Sequence, residues 1–266
     1  MSKFNHKPLK VKFLPKGIPY IISNEAAERF SFYGMKGILV IYMTQYLFLT
    51  TGETNISEEN AKGYFHLFTS AVYFFPIFGA FISDFFLGKY KTIISLSLIY
   101  CLGHFVLAID PSKLGLSIGL TLIAIGSGGI KPCVSAHLGD QFSRTNSFLI
   151  SKAYSWFYIA INLGAFTSTL ITPYLLKHYS PGIAFGIPGF FMLLATLLFW
   201  AGRYKFIHIK PEKKKIIKEL YKSENIKIIL KLIVIFMFVS FFGVYLIKLV
   251  HRGYYKQKKW TEKYLV

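Results

Sequence analysis

Glu25, Glu28 and Arg29 stand in the stretch NEAAERFSFYGMK, at the mouth of an apolar run that continues GILVIYMTQYLFL. Their spacing of i, i+3 and i+4 puts all three on one face of a helix. In a membrane-spanning helix such charges are costly, ~2.5–3.5 kcal/mol for one Asp, Lys or Arg at the centre. A face that gathers three either snorkels to the headgroups or looks into a wet cavity, and the spacing favours the cavity. Lys131, in GSGGIKPCVS, is a further intramembrane cation that needs a carboxylate or a cavity. Glu25 and Glu28 are the intramembrane acids open to it. Asn162, in WFYIAINLGAF, reads as a buried amide, either glue between helices or a ligand contact. Asp84, in ISDFFLGKYKT, reads as a gate or structural ion pair at the end of its helix. Tyr33 and Tyr73 offer hydroxyls to a pore.

Bond-breaking chemistry has little support. The seven histidines (His6, His66, His104, His137, His178, His208, His251) show no HExxH or other ligand spacing, and no GxSxG elbow or Walker loop occurs. No metal site is therefore expected, and the chain does not read as an enzyme. His66, His104 and His137 read as hydrogen-bonded structural residues.

The elements that position these groups follow from composition. The chain is 53% hydrophobic and 18% aromatic, with mean hydropathy +0.45, too apolar for a soluble domain. Seven runs approach the ~20 apolar residues that a spanning helix needs: roughly 18–49, 62–87, 92–110, 115–138, 153–176, 183–203 and 228–250. Small residues recur in the fourth (Gly115, Gly119, Gly126, Gly128, Gly129), as close helix contacts require. The net charge of +19 comes from lysines between apolar runs, not from aromatic-interleaved patches, which argues against nucleic acid. Cys101 and Cys133 lie in apolar segments and suggest no disulfide. Eighteen basic residues precede the first run or follow the second, fourth and sixth, against Lys62, Lys113 and Lys177 in the opposite connections. That bias places the N-terminus in the cytoplasm. The seventh run breaks the rule, because Lys248, Arg252, Lys256, Lys258, Lys259 and Lys263 would emerge on the wrong side.

Taken together these stretches resemble the proton-dependent oligopeptide transporter family of the major facilitator superfamily, over about residues 17–242. NEAAERFSFYG is similar to that family's first-helix ExxERF-type signature. GAFISDFFLGKYKT resembles its second-to-third helix junction, GSGGIKPCVSAHLGDQF its fourth helix, SWFYIAINLGAF its fifth and AFGIPGFFMLLATLLFWAGR its sixth. The resemblance implies that Glu25, Glu28, Arg29 and Lys131 serve proton coupling, with Lys131 paired to Glu25 or Glu28 and helping to hold a peptide carboxylate. It implies that Tyr33, Lys36, Tyr73 and Asn162 line a peptide site. Lys36 stands where the family often has Arg, so carboxylate binding there is looser. Phe32 replaces a frequent pocket tyrosine, and Cys133 a common Asn.

The expected protein is thus an all-α polytopic membrane protein, a six-helix N-terminal bundle of a major facilitator fold with an aberrant seventh hydrophobic segment. Residues 1–17 form a basic cytoplasmic N-terminus, 18–203 the bundle, 204–227 a basic linker and 228–242 the start of the seventh helix. The function implied is proton-coupled symport of di- or tripeptides across the cell inner (cytoplasmic) membrane, driven by the proton gradient and with no cofactor. Its partners are small peptides, protons, the lipid membrane and a missing C-terminal half. The alternative is an inactive remnant or a non-transporting helix-bundle protein. Residues 243–266 read as an out-of-frame tail. With permitted codons and one T restored after those for Phe241 and Phe242, the tail reads WCLFDQTGSSWVLQAEKM, which matches the family's seventh-helix pattern FWxLFDQxGSSWxLQAxxM.

Overall fold

Among the described residues, six long helices follow from the apolar runs. The computed structural model describes residues 4–8, 10–110, 112–211 and scattered positions between 213 and 234. Contact clustering divides the chain into two units, Met1–Pro211 and Glu212–Val266, and all six helices belong to the first. The tail 243–266, the expected seventh helix apart from Lys231 and Val234, and part of the linker lie outside the described residues.

Helix α1 spans Ile18–Ile41 and runs on through a π-helical turn, Tyr42–Tyr46, to Leu47–Thr51. The Thr44 hydroxyl inserts into the ladder there, donating to the Val40 and Ile41 carbonyls at 3.0 and 3.3 Å, an identifiable cause of a local widening. Helix α2 spans Glu58–Ile82 and also ends in a π-helical turn, Ser83–Leu87. Gly88 then turns the chain at φ +78°, a backbone position that disfavours any Cβ. Helices α3 (Lys89–Ile109), α4 (Lys113–Gly139), α5 (Ile150–His178) and α6 (Pro181–Ala201) follow. The Ser57, Ser112 and Ser180 hydroxyls cap α2, α4 and α6 by accepting from the amides of Asn60, Gly115 and Ile183, as N-cap serines do.

Five of the helices, α2 to α6, are long and apolar enough to cross a membrane. Helix α1 matches them in length but carries Glu25, Glu28, Arg29 and Lys36, of which the first three are buried. It packs on α5 and α6, while α4 packs on α2 and α3 and α3 also meets α6. The glycines of α4 explain its close contacts. A Cβ on Gly126 would stand 2.8 Å from the Leu96 carbonyl of α3, and one on Gly128 2.8 Å from the Val72 carbonyl of α2. Gly79 of α2 meets the Gly129 backbone more closely still, with no room for a side chain on Gly79. The outward residues, such as Leu67, Phe74, Ile77, Ile159, Phe166 and Phe190, are large and apolar, as helices facing lipid require.

At the end of the bundle where α1 begins, the chain before α1 is tied down rather than free. Asn5 and Ile207 form a parallel bridge, and the His208 amide donates to the Asn5 carbonyl at 2.8 Å. The His6 ring donates to the His208 carbonyl at 2.7 Å. Thr145 and Asn146, between α4 and α5, donate to the carbonyls of Val11 and Phe13. The Gln141 side chain accepts from the Ile207 amide at 2.9 Å.

Candidate functional site

Arg29 is the centre of the buried charge cluster. Its Nε lies 3.0 Å from Glu25 Oε1 and its terminal Nη2 meets Glu28. Glu28 is fully buried, Glu25 and Arg29 nearly so. The planar fork of a guanidinium can serve two carboxylates at once, which a lysine cannot. Glu28 accepts a further bond from the Ser127 hydroxyl of α4 at 2.6 Å, fixing α1 against α4 one helical turn from Lys131. Helix α1 is also held from its other side. Ser31 lies 2.8 Å from His104 Nε2, and His104 Nδ1 lies 3.2 Å from the Phe185 carbonyl of α6. A carbonyl only accepts, so Nδ1 carries the proton and Nε2 accepts from Ser31. His104 thus pins α1, α3 and α6 in one registration.

Lys131 does not pair with Glu25 or Glu28 in this conformation. Arg29 occupies both carboxylates, and among the described residues Lys131 forms no ion pair. Its ammonium rests instead 4.5 Å from the centroid of Phe32 and 5.4 Å from that of Tyr73, within cation–π range. Lys36 lies 5.1 Å from the Phe65 ring and 5.9 Å from Phe32, and the Arg29 guanidinium 6.0 Å from Phe32. The residue that replaces a frequent pocket tyrosine is therefore a buried aromatic hub for three cations. Tyr33 meets the same ring edge-on at 5.5 Å. The structure brings Glu25, Glu28, Arg29, Tyr33, Lys36, Tyr73 and Lys131 into one neighbourhood, from α1, α2 and α4.

Two expectations change. Asn162 is not a buried amide: it is exposed on α5 and donates to its own helix at the Tyr158 carbonyl, 2.9 Å away. Asp84 is exposed in the π-helical turn and makes no ion pair among the described residues. The structural pair at that end is Lys89–Asp140, 2.7 Å, joining the start of α3 to the end of α4. Of the histidines, His104 and His137 are buried and His66 is exposed against Phe65. Ser127, Ser31 and the Lys89–Asp140 pair went unread in the sequence. The available signal was that Ser127 stands four residues before Lys131, on the same face of one helix.

The arrangement handles charge: two carboxylates, one guanidinium and two ammonium groups stand around aromatic rings inside a helical bundle. The family model that matches this chain is that of the POT family, over residues 90–264. The chain belongs to the POT family. Among curated POT-like relatives it is 46% identical over 204 residues to peptide transporter family 1 of Drosophila melanogaster, covering 71% of this chain and 26% of that protein. It is 39% identical over 224 residues to solute carrier family 15 member 2 of Homo sapiens, covering 78% and 30%. The structure resembles that of the POT family transporter PepTSo with a TM-score of 0.70 and 51% identity, over 75% of this chain and 40% of that one. The chain thus spans about a quarter to a third of these curated relatives, and it has the helical transporter fold of POT proteins.

Proposed function

We propose that this chain supplies the N-terminal half-site of a proton-coupled di- or tripeptide symporter of the cytoplasmic membrane, with its N-terminus in the cytoplasm. The observation that carries the reading is the buried Glu25–Arg29–Glu28 cluster, set beside Lys131 on a shared aromatic hub. The cluster alone sums to one negative charge, and Lys131 is the cation that balances it. A proton on either carboxylate brings the cluster to neutral and leaves Lys131 without a counter-charge. A peptide carboxylate can then take that place, so proton and substrate enter together. In a low-dielectric site this coupling by charge balance is strong. The gradient supplies the drive, ~2.3 kcal/mol per charge per 100 mV. Tyr33, Lys36 and Tyr73 line the peptide side, and Asn162, exposed on α5, is assigned to it as a further contact. No cofactor takes part.

The test is labelled-dipeptide uptake into proteoliposomes under an imposed proton gradient. The chain joined to the C-terminal half of the Drosophila relative is expected to accumulate dipeptide, and Lys131→Ala to abolish that while leaving insertion intact. Unchanged pH-dependent uptake by the variant would sink the mechanism. A second reading, a non-transporting helix-bundle protein, draws on the exposure of Tyr73 and Asn162. It predicts no accumulation by the chain alone, which is also our expectation, and none after joining, which is not.

A further inference from the structure

The segment before α1 does more than anchor the chain, because it walls a cavity of about 240 Å³ against the residues that follow α6. Val11, Phe13, Lys16, Gln141, Tyr204 and Lys205 are among its lining residues. Two lysines line it, and no Asp or Glu does among the described residues. The adjacent acid, Asp140, is already engaged by Lys89 at 2.7 Å. Lys205 is positioned: its ammonium contacts the Tyr20 hydroxyl and lies 4.4 Å from that ring's centroid. A pre-set cation loses less freedom on binding an anion than a loose one.

The cavity also sits at a particular depth. Trp200 and Tyr204 are exposed at the end of a spanning helix, with the Arg203 guanidinium 3.7 Å from the first ring's centroid and 4.5 Å from the second. Exposed Trp and Tyr at a helix end mark the level of the headgroups, and a basic pocket there suits an anionic lipid head. We propose that this cavity binds the phosphate of an anionic phospholipid, with Lys16 and Lys205 as the charge contacts. The small volume admits the phosphate and glycerol and leaves the acyl chains outside. The site depends on the strap: the Asn5–Ile207 bridge and the Thr145 and Asn146 bonds hold the segment that carries Lys16 beside the residues that follow α6.

Native mass spectrometry of the purified full chain, released from phosphatidylcholine bilayers with and without phosphatidylglycerol, reads the proposal directly. Phosphatidylglycerol should be retained over phosphatidylcholine. Lys16→Ala and Lys205→Ala should each lower the retention ratio about five-fold, the fold-change equivalent to roughly 1 kcal/mol per basic residue. Lys10→Ala with Lys12→Ala, which removes two charges from the segment that carries Lys16 but outside the cavity, should leave the ratio nearly unchanged. Lys16→Arg with Lys205→Arg should preserve it. If an alanine variant melts early, Lys16→Gln and Lys205→Gln read the same ratio. Equal losses from the Lys10 and Lys12 changes would mean diffuse surface attraction and overturn the site. An unchanged ratio without Lys16 and Lys205 would do the same. Displacement of the lipid by millimolar inorganic phosphate would assign the cavity to the free ion instead.

Discussion

Arg29 answers to two carboxylates and so has no neutral substitute. Arg29→Ala leaves Glu25 and Glu28 facing each other in the interior of the bundle, and losing one partner of a buried pair costs ~3–5 kcal/mol. Thermal melting in detergent should show that loss for Arg29→Ala and a smaller one for Arg29→Lys, whose single ammonium reaches one carboxylate. Equal melting of wild type and Arg29→Ala would mean that the carboxylates are neutral already. At this scale the sequence was informative within one helix and silent between helices. The i, i+3, i+4 spacing placed Glu25, Glu28 and Arg29 on one face correctly. It could not rank Arg29 above Lys131 as their partner, because that choice depends on how far α4 stands from α1. Ser127 and Ser31 escaped notice for a related reason. A lone serine in an apolar run carries no periodic signal, and only the neighbour it meets gives it meaning.

At the scale of elements, the glycine pattern of α4 reads out as contact geometry. Gly79→Val should force α2 from the Gly129 backbone, and overpacking of this kind costs ~1–3 kcal/mol. Gly63, on the same helix with open space around it, gives the contrast: Gly63→Ala should be neutral or stabilising, by up to ~1 kcal/mol. Similar melting of the two variants would refute the close-approach account. The strap carries a pH dependence. Burial pushes the His208 ring below its ordinary range, opposed by its bond to the Arg203 carbonyl and assisted by the nearby His6. A histidine depressed in the folded state stabilises it when neutral. That contribution is full above the unfolded pKa, about 6.5, and is lost as pH falls below it. Amide exchange at His208, whose N–H bonds Asn5, should therefore quicken on acidification from pH 7 to 5 beyond the intrinsic rate, and His208→Phe should remove the effect. The helices were legible because their apolar runs are long. The strap was not, since residues 4–16 interleave lysines with short apolar stretches and two prolines, and nothing local says that such a stretch will pair with residue 207.

For the whole molecule, the charge bias, the glycine-rich fourth run and the ExxERF-type stretch pointed to the fold that the relatives share. The tail was legible only as a conflict: if a seventh span crosses outward its cations emerge on the wrong side, while the family match runs on to residue 264. If 243–266 is out of frame, the nucleotide sequence beyond Phe242 should encode WCLFDQTGSSWVLQAEKM and further apolar helices in a shifted frame. DNA that encodes neither in any frame ends that idea. Asn162 shows where whole-molecule context was missing. Its polarity on an apolar helix suggested burial, yet the face it occupies is open in this unit.

The strap has a consequence for the order of assembly. His6 and His208 are 202 residues apart in the chain, and every helix of the bundle lies between them. Their contact cannot form while a ribosome is still delivering α6, so the residues before α1 must wait for those that follow α6. Local helices insert early, and a contact of such long sequence separation closes late. Formation of the Asn5–Ile207 bridge therefore marks the closing of the six-helix unit. A chain truncated before residue 205 and released from the ribosome should keep its helices in the bilayer and leave residues 4–8 open to protease, while Val11 and Phe13 still have Thr145 and Asn146 as partners.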